Sequence, residues 1–437
     1  MQLTFHKKYS IIIRYDLFRV SGDCVIVNKK TLIAAIGLAL TAAAGIFAFC
    51  SLQGKYAFMG EPQLQLPQVT LEKKALKSRE RVESELQRDK LPTEAQRRAY
   101  DVIKRNTFSA DDDHFQLKDT GKDDLQMALS AFRADHPEVF WIDPNSSYKY
   151  YEDGGSVTVE LHFTETGGDL QQDRKTLEAA VKKAVSGAPD NASDYEIELY
   201  LNDYLSEHCT YDAEGERKHS AYGALVEGRA VCDGYSRAFQ LLCRRLGIEC
   251  TVVEGTSEFN TDEDDGHMWN CVRIGGEWYH ADITWNDAEN ASCGAEHYFY
   301  LNLTEEEIKL DHVISGSYDE RSDNKGNYFN IFVPSCGTDD LNYMRLNYVT
   351  IKDLEDDGQI IAALADAARK KSDYCAFLIS EDVHFETTTK AIADKYAAQW
   401  VQGANRFIKD GPAIMSEGHI INYKGKRVTA FKLAYRE

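Results

Sequence analysis

The sequence predicts an α+β chain, and three observations predict it. An amphipathic helical run opens at Cys232 and stops at Gly247, two strand-like runs meet at Gly275-Gly276, and residues 347–426 alternate strand and helix signals. The 437 residues fit two or three domains. With 43% hydrophobic and 11% aromatic residues the chain can bury more than one core.

The elements follow in order. The run 31–49, TLIAAIGLALTAAAGIFAF, is uncharged and apolar, and Lys29 and Lys30 precede it, with Lys7, Lys8, Arg14 and Arg19 further back. About 20 such residues span a bilayer, and the basic flank predicts a cytoplasmic N-terminus. No polar face marks the run as a core helix, so residues 1–60 read as a cytoplasmic segment with a membrane anchor or signal segment. Residues 61–68 read as a polar linker, 70–108 as charged helix, and 123–132 as a further helix whose extension ends at His136-Pro137. Residues 148–151 and 156–163 read as strands, the second alternating through Val157, Val159, Leu161 and Phe163. Helices at 170–185 and 195–207 lead into the Cys232 block. A stretch rich in Asp, Ser, Asn and Gly follows Val313 and marks a boundary. Beyond it, strands at 347–351 and 374–379, helices at 358–370 and 387–399, and a hairpin at Lys424-Gly425-Lys426 suggest a small α/β module. The expected organisation is therefore 1–60, a helical and α+β accessory region at 61–190, a core at 191–313 and the α/β module at 340–437.

The chemistry concentrates between Ser220 and Asp287. Gly228 and Gly234 bracket Cys232, and Ala238, Leu241, Leu242 and Leu246 follow at helical spacing. A cysteine at a helix N-terminus meets unpaired N–H groups and the positive end of the macrodipole, a setting that favours a thiolate. Residues 267–274 and 277–284 flank the two-glycine turn. If Ile274 pairs with Glu277, then His267, Trp269, Cys271 and Arg273 share a face with Trp278, His280, Asp282 and Thr284. His267 and Asp282 become diagonal neighbours, so that a carboxylate can hold the imidazole in one tautomer. A slip of one residue would put them on opposite faces. His280 reads as a packing or supporting residue, and Trp269 and Trp285 as walls of the cleft or as core packing. Acyl chemistry also requires oxyanion donors; the Cys232 N–H is one candidate, and Tyr211 and Tyr222 are the side-chain candidates.

These blocks resemble the transglutaminase-like superfamily. Gly228-Arg-Ala-Val-Cys232-Asp-Gly-Tyr resembles the G-x-x-x-C-x-G-Y nucleophile block of that family. His267-Met-Trp-Asn-Cys-Val272 matches its H-x-W-N-x-V histidine strand, and Trp278-Tyr-His-Ala-Asp-Ile-Thr-Trp285 matches its W-Y-x-x-D-x-T-W aspartate block. The resemblance covers about residues 194–303 and implies a papain-like core with Cys232, His267 and Asp282 as a catalytic triad. It implies thiol-dependent acyl transfer from peptide or side-chain amides. Hydrolysis, by a peptidase or amidase, is favoured over cross-linking because the rest of an animal transglutaminase is missing. The alternative is a catalytically silent cell-surface binding module of the same fold.

Net charge of −21 offers no basic field for nucleic acid. No Rossmann fingerprint, Walker A loop or HExxH motif occurs, and the cysteines lack paired CxxC zinc spacing. No cofactor and no metal are therefore expected; the acidic run 261–266 lacks EF-hand spacing and reads as a solvated loop. Of ten cysteines, Cys24 and Cys50 lie outside the folded part, and setting aside Cys232 leaves seven, an odd number that forbids a fully paired disulfide framework. The expected partners are a protein or peptide substrate, cell-surface and cell-wall peptides included, and the membrane through 31–49. The expected location is the cell membrane, single-pass with an extracytoplasmic catalytic part, or secreted.

Overall fold

The computed structural model describes residues 3–6, 10–13 and 60–436, except 111–112, 144–147, 154, 258–265, 288–293, 316–330, 410 and 415–418. The chain divides into two compact units, Met1–Gly60 and Glu61–Glu437. In the first, Leu3–His6 pairs antiparallel with Ser10–Ile13. The apolar run 31–49 lies outside the described residues. Among those described, no helix is long and apolar enough to cross a membrane.

The larger unit mixes helix and sheet, as the sequence predicts. Its N-terminal part has helix α1 (Glu94–Ser109), strand β1 (His114–Lys118), helix α2 (Lys122–Asp135) and strands β2 (Tyr148–Asp153) and β3 (Ser156–Leu161). β3 is the middle strand between β1 and β2, and its inward residues Val157, Val159 and Leu161 pack with Tyr100, Ile103, Leu125 and Phe132 of the two helices. Two readings change here. The continuous helix expected over 70–108 breaks up, and α1 begins only where Thr93 makes a capping box with Gln96. Before it come a short strand at Lys73–Lys74, a 3₁₀ turn at Leu76–Ser78 and a single-turn helix at Leu86–Lys90, and Arg79 anchors the stretch by hydrogen bonds to Asp194 (2.7 Å), Ala192 O (2.7 Å) and Leu246 O (3.1 Å). Strand β1, which the sequence reading passed over, pairs with β3 throughout its length.

Helices α3 (Gly167–Ser186) and α4 (Asp194–His208) precede α5 (Cys232–Arg245), followed by strands β4 (Cys250–Ser257), β5 (His267–Ile274), β6 (Glu277–Ala281), β7 (Leu301–Leu303) and β8 (His312–Ile314). These five form an antiparallel sheet in the order β7-β6-β5-β4-β8. Both of its faces are buried. Val272 and Ile274 pack with Tyr235, Phe239 and Leu242 of α5, whereas Trp269 and Cys271 pack with Ala376, Val428 and Ala430 further along the chain. Each large apolar side chain so buried contributes roughly 1.5–3 kcal/mol.

α5 also solves a problem for α2, whose last carbonyls have no helical partner. Arg237 donates to Arg133 O (2.6 Å), Gln240 to Ala134 O (2.7 Å) and Arg244 to Asp135 O. Three polar residues on one face of α5 thus cap the neighbouring helix, which fixes the N-terminal elements against the core.

In the C-terminal part, strand β9 (Val349–Ile351) lies parallel to β10 (Tyr374–Ile379), helix α6 (Gly358–Arg369) connects them, and the hairpin β11 (Ile420–Tyr423) and β12 (Val428–Lys432) completes a sheet of order β9-β10-β12-β11. The helix expected over 387–399 begins at Phe385 and continues through a wider turn at Ile392–Tyr396 to Asn405.

Gly234 shows how tight the core packing is. A Cβ there would lie 2.4 Å from Lys218 O and 2.7 Å from the Ala230 Cβ, whereas one at Gly358 would meet nothing within 4 Å. Gly234→Ala is expected to lower the unfolding free energy by about 1–3 kcal/mol, with Gly358→Ala unchanged or slightly stabilised; urea titration of both variants checks this.

Candidate active site

Cys232 is the first residue of α5, after an extended Val231, and no side chain caps the helix. Its first-turn N–H groups are therefore available to an anion, with the macrodipole adding roughly 0.3–1 kcal/mol. Gly228, at φ 68°, turns the chain into the short strand Arg229–Ala230 that leads to the thiol. Among the described cysteines Cys232 alone is not buried.

The helix is held to the histidine strand directly. Ser236 Oγ lies 2.8 Å from both Cys232 O and Met268 O, and Asn270 Nδ2 donates to Ser236 O at 3.0 Å. The hairpin has the expected register, with Ile274 opposite Glu277 and Cys271 opposite His280. One detail differs. Strand β6 stops at Ala281, and Asp282 caps the short helix Ile283–Asn286 by accepting from Trp285 N–H at 3.1 Å. Thr284 consequently leaves the sheet, because a capping carboxylate competes with strand continuation.

His267 and Asp282 meet. Nε2 of His267 lies 2.7 Å from Oδ2 of Asp282, and both side chains are almost wholly buried. Burial works against the imidazolium, but the charge and hydrogen bond of Asp282, joined by those of Cys232, raise the His267 pKa to about 9. Burial likewise opposes ionisation of Asp282, and His267 and His312 overcome it, holding the carboxyl well below its ordinary range. Trp269 stacks near His267 at 5.8 Å and 22°, and Trp285 lies at 5.7 Å and 38°. Both indoles flank the ring, and Trp269 is wholly buried in the core.

The sequence did not single out His312. Its Nε2 is 3.0 Å from the same Asp282 Oδ2, and its Nδ1 is 2.7 Å from Asp311 Oδ1. Both ring nitrogens thus face acceptors, the arrangement that suits an imidazolium, and His312 has a raised pKa because the two carboxylates outweigh its burial. Asp311 in turn accepts from Tyr300 Oη (2.8 Å) and pairs with Lys426 Nζ (3.0 Å). The only sequence signal was an Asp-His dipeptide beyond the three blocks.

His267, Asp282 and His312 offer ligand atoms close enough to hold a metal ion, but separations of 2.7 and 3.0 Å across Asp282 Oδ2 are those of direct hydrogen bonds. Of the oxyanion side-chain candidates, Tyr211 is exposed, and Tyr222 packs against Phe140 under Arg217. A cavity of about 370 Å³ lined by Phe140, Arg217, His219, Ser220 and Arg237 adjoins the loop before α5, without Cys232 or His267 in its wall. The acidic run 261–265 lies outside the described residues.

Residues 179–283 match the model of the transglutaminase-like superfamily. This chain carries a transglutaminase-like core. The superfamily includes cysteine peptidases and acyltransferases. Over 130 residues the chain is 28% identical to the kyphoscoliosis peptidase of Mus musculus, covering 27% of this chain and 20% of that one. Over 138 residues it is 30% identical to the kyphoscoliosis peptidase of Homo sapiens, covering 27% and 21%. The match therefore spans about a fifth of the length of these curated relatives. The crystal structure of a TGase shares 15% identity over 33% of this chain and 45% of that chain, with a TM-score of 0.24, too low to bear on the fold.

The pKa directions set a pH dependence. The folded pKa of His267 is raised from 6.5 to about 9, so its contribution is complete below 6.5 and lost as pH rises through 9. Asp282 is depressed, so its contribution is present above 3.8 and lost on further acidification. The difference in unfolding free energy between wild type and His267→Ala is expected to be largest near pH 5–6 and to shrink toward pH 9; denaturant titrations across that range measure it.

Proposed function

We propose that the chain is a thiol enzyme that accepts acyl groups from peptide or side-chain amides. Cys232 is the nucleophile, His267 the base and then the acid, and Asp282 the group that orients it. The observation that best supports this is the His267 ring, engaged by buried Asp282 through Nε2 at 2.7 Å, with Cys232 among the groups that raise its pKa. With Nε2 occupied, Nδ1 is the atom that takes the thiol proton. Sγ attacks the carbonyl carbon, and the developing oxyanion faces the uncapped N-terminus of α5. The His267 proton then leaves with the amine, and a thioester remains on Cys232. Water, deprotonated by His267, cleaves the thioester and releases the acid; an amine in its place would give a new amide. We favour water, in keeping with the peptidases among the chain's relatives.

His312 has a positioning role in this reading. By occupying the same Asp282 oxygen as His267, it limits how that carboxylate can turn.

Cys232→Ala is expected to abolish turnover with the fold retained, and Asp282→Asn to reduce it by about 10⁴. Cys375→Ala, far from the site in β10, should leave activity as it is. A thiol-directed probe should label Cys232 in wild type and much less in His267→Ala, by peptide mass. Full activity in Cys232→Ala would overturn the assignment. Incubation with glutamine-containing peptides, with and without a primary amine, separates the fates: cleaved or deamidated products mean hydrolysis, and amine-bearing products mean transfer. If the probe labels nothing and no product forms, a surface-binding role replaces the enzyme.

We also propose that the chain acts outside the cytoplasm, on the strength of the run 31–49 and its basic flank. Protease added to intact cells is then expected to cleave the part that follows Glu61, and full protection of that part would contradict the proposal.

A further inference from the structure

On the sheet face turned away from α5, three ligand-type side chains converge. Cys271 of β5 and His280 of β6 are a cross-strand pair, and Cys336 joins them from the irregular strap that follows the core. Cys271 Sγ lies 3.4 Å from His280 Nδ1 and 3.6 Å from Cys336 Sγ. All three residues are within 1% of complete burial. Both cysteines are free thiols.

Polar groups buried so deeply should satisfy one another, and these do so incompletely. His280 Nδ1 accepts from Trp269 Nε1 at 3.1 Å, whereas Nε2 has no partner in its buried position. That orphan is not the nitrogen within reach of the sulfurs; the distances are what point to a ligand set. A tetrahedral zinc centre has Zn–S near 2.3 Å and Zn–N near 2.0–2.1 Å, which puts neighbouring sulfurs about 3.8 Å apart and sulfur and nitrogen about 3.5 Å apart. The observed 3.6 and 3.4 Å lie close to those edges.

We propose that Cys271, His280 and Cys336 are the protein ligands of a zinc ion that fastens the 331–337 strap to the sheet carrying His267 and Asp282. The ligand set is soft, two sulfurs and one imidazole, and selects Zn²⁺ over Mg²⁺ or Ca²⁺. The strap is already tied by reciprocal hydrogen bonds, at 2.8 Å each, between the Gln87 side chain and the Phe332 backbone, and by Glu305 N–H to Cys336 O at 2.8 Å. The ion adds a bond that crosses from the strap to both strands of the hairpin. It competes with Trp269 for the imidazole nitrogen that faces the sulfurs. Since Trp269 also stacks near His267, indole fluorescence reports loading.

The test titrates the reduced, full-length chain with Co²⁺ as the probe, under anaerobic conditions. One Co²⁺ per chain is expected, with thiolate charge-transfer absorption and tetrahedral ligand-field bands, displaced by one equivalent of Zn²⁺ but not by Mg²⁺. Cys336→Ser and His280→Gln should each weaken binding by at least about tenfold, with the fold checked by circular dichroism. Cys243→Ser and Cys232→Ala, whose thiols lie outside the cluster, should bind as wild type does. Absence of the charge-transfer band in folded wild type overturns the proposal, as does a band that survives Cys336→Ser at full affinity. Recovery of a Cys271–Cys336 disulfide from metal-free protein, purified without reductant and unable to bind Zn²⁺ after reduction, overturns it in favour of a redox pair.

Discussion

The Asp282 carboxylate is the constraint around which the core is arranged. It is completely buried, and an ionised carboxylate taken from water costs several kcal/mol unless it is surrounded by donors. Three donors meet that cost. Two imidazoles approach Oδ2 and the Trp285 N–H approaches Oδ1, while the Asp282 backbone N–H donates to Tyr300 O at 2.9 Å. Each donor to the carboxylate comes from a different element: β5, β8 and the short helix after β6. Antiparallel pairing in the order β7-β6-β5-β4-β8 brings these elements together, so the topology of the sheet and the ionisation of one side chain depend on each other.

A second dependence links the sheet to the candidate nucleophile. α5 lies on the opposite face from Trp269, and its position along the sheet is set by the Ser236 hydroxyl and the Asn270 amide, which join the first turn of the helix to β5. Gly234 allows a different close approach, of α5 to the segment before it, since a Cβ there would lie 2.4 Å from Lys218 O. Ser236 and Asn270 tie the helix that Cys232 opens to the strand that His267 opens.

How much of this could be read beforehand follows from the range of each interaction. The hairpin register was legible because Gly275-Gly276 fixes it locally, and with it came the nearness of His267 and Asp282. The start of α5 was legible from its glycines and apolar period. The loss of strand at Asp282 was not, since it depends on a carboxylate choosing between a cap and a ladder. The break-up of 70–108 was hidden for a similar reason: Arg79 finds its partners at Asp194, Ala192 and Leu246, far away in sequence. His312 and Cys336 fall outside the three family-like blocks, and only β8 pairing with β4 and the course of the strap bring them to the sheet. Spacing rules that search for paired CxxC motifs have no purchase on a cluster gathered by tertiary structure.

The C-terminal sheet is more than an appendage to that core. Val428 and Ala430 of β12 pack in one apolar cluster with Trp269, Cys271 and Val253. Lys426, in the turn before β12, reaches Asp311 at 3.0 Å and places its ammonium 3.6 Å from the Tyr300 ring centroid. Burial lowers the Lys426 pKa even though Asp311 favours the charged form, so the lysine is held there at a cost to its own solvation. That cation neutralises Asp311, Asp311 orients His312, and His312 shares Asp282 with His267. A terminal hairpin remote in sequence thus supplies the outermost charge of a chain of contacts that runs through Asp311, His312 and Asp282 to the His267 imidazole.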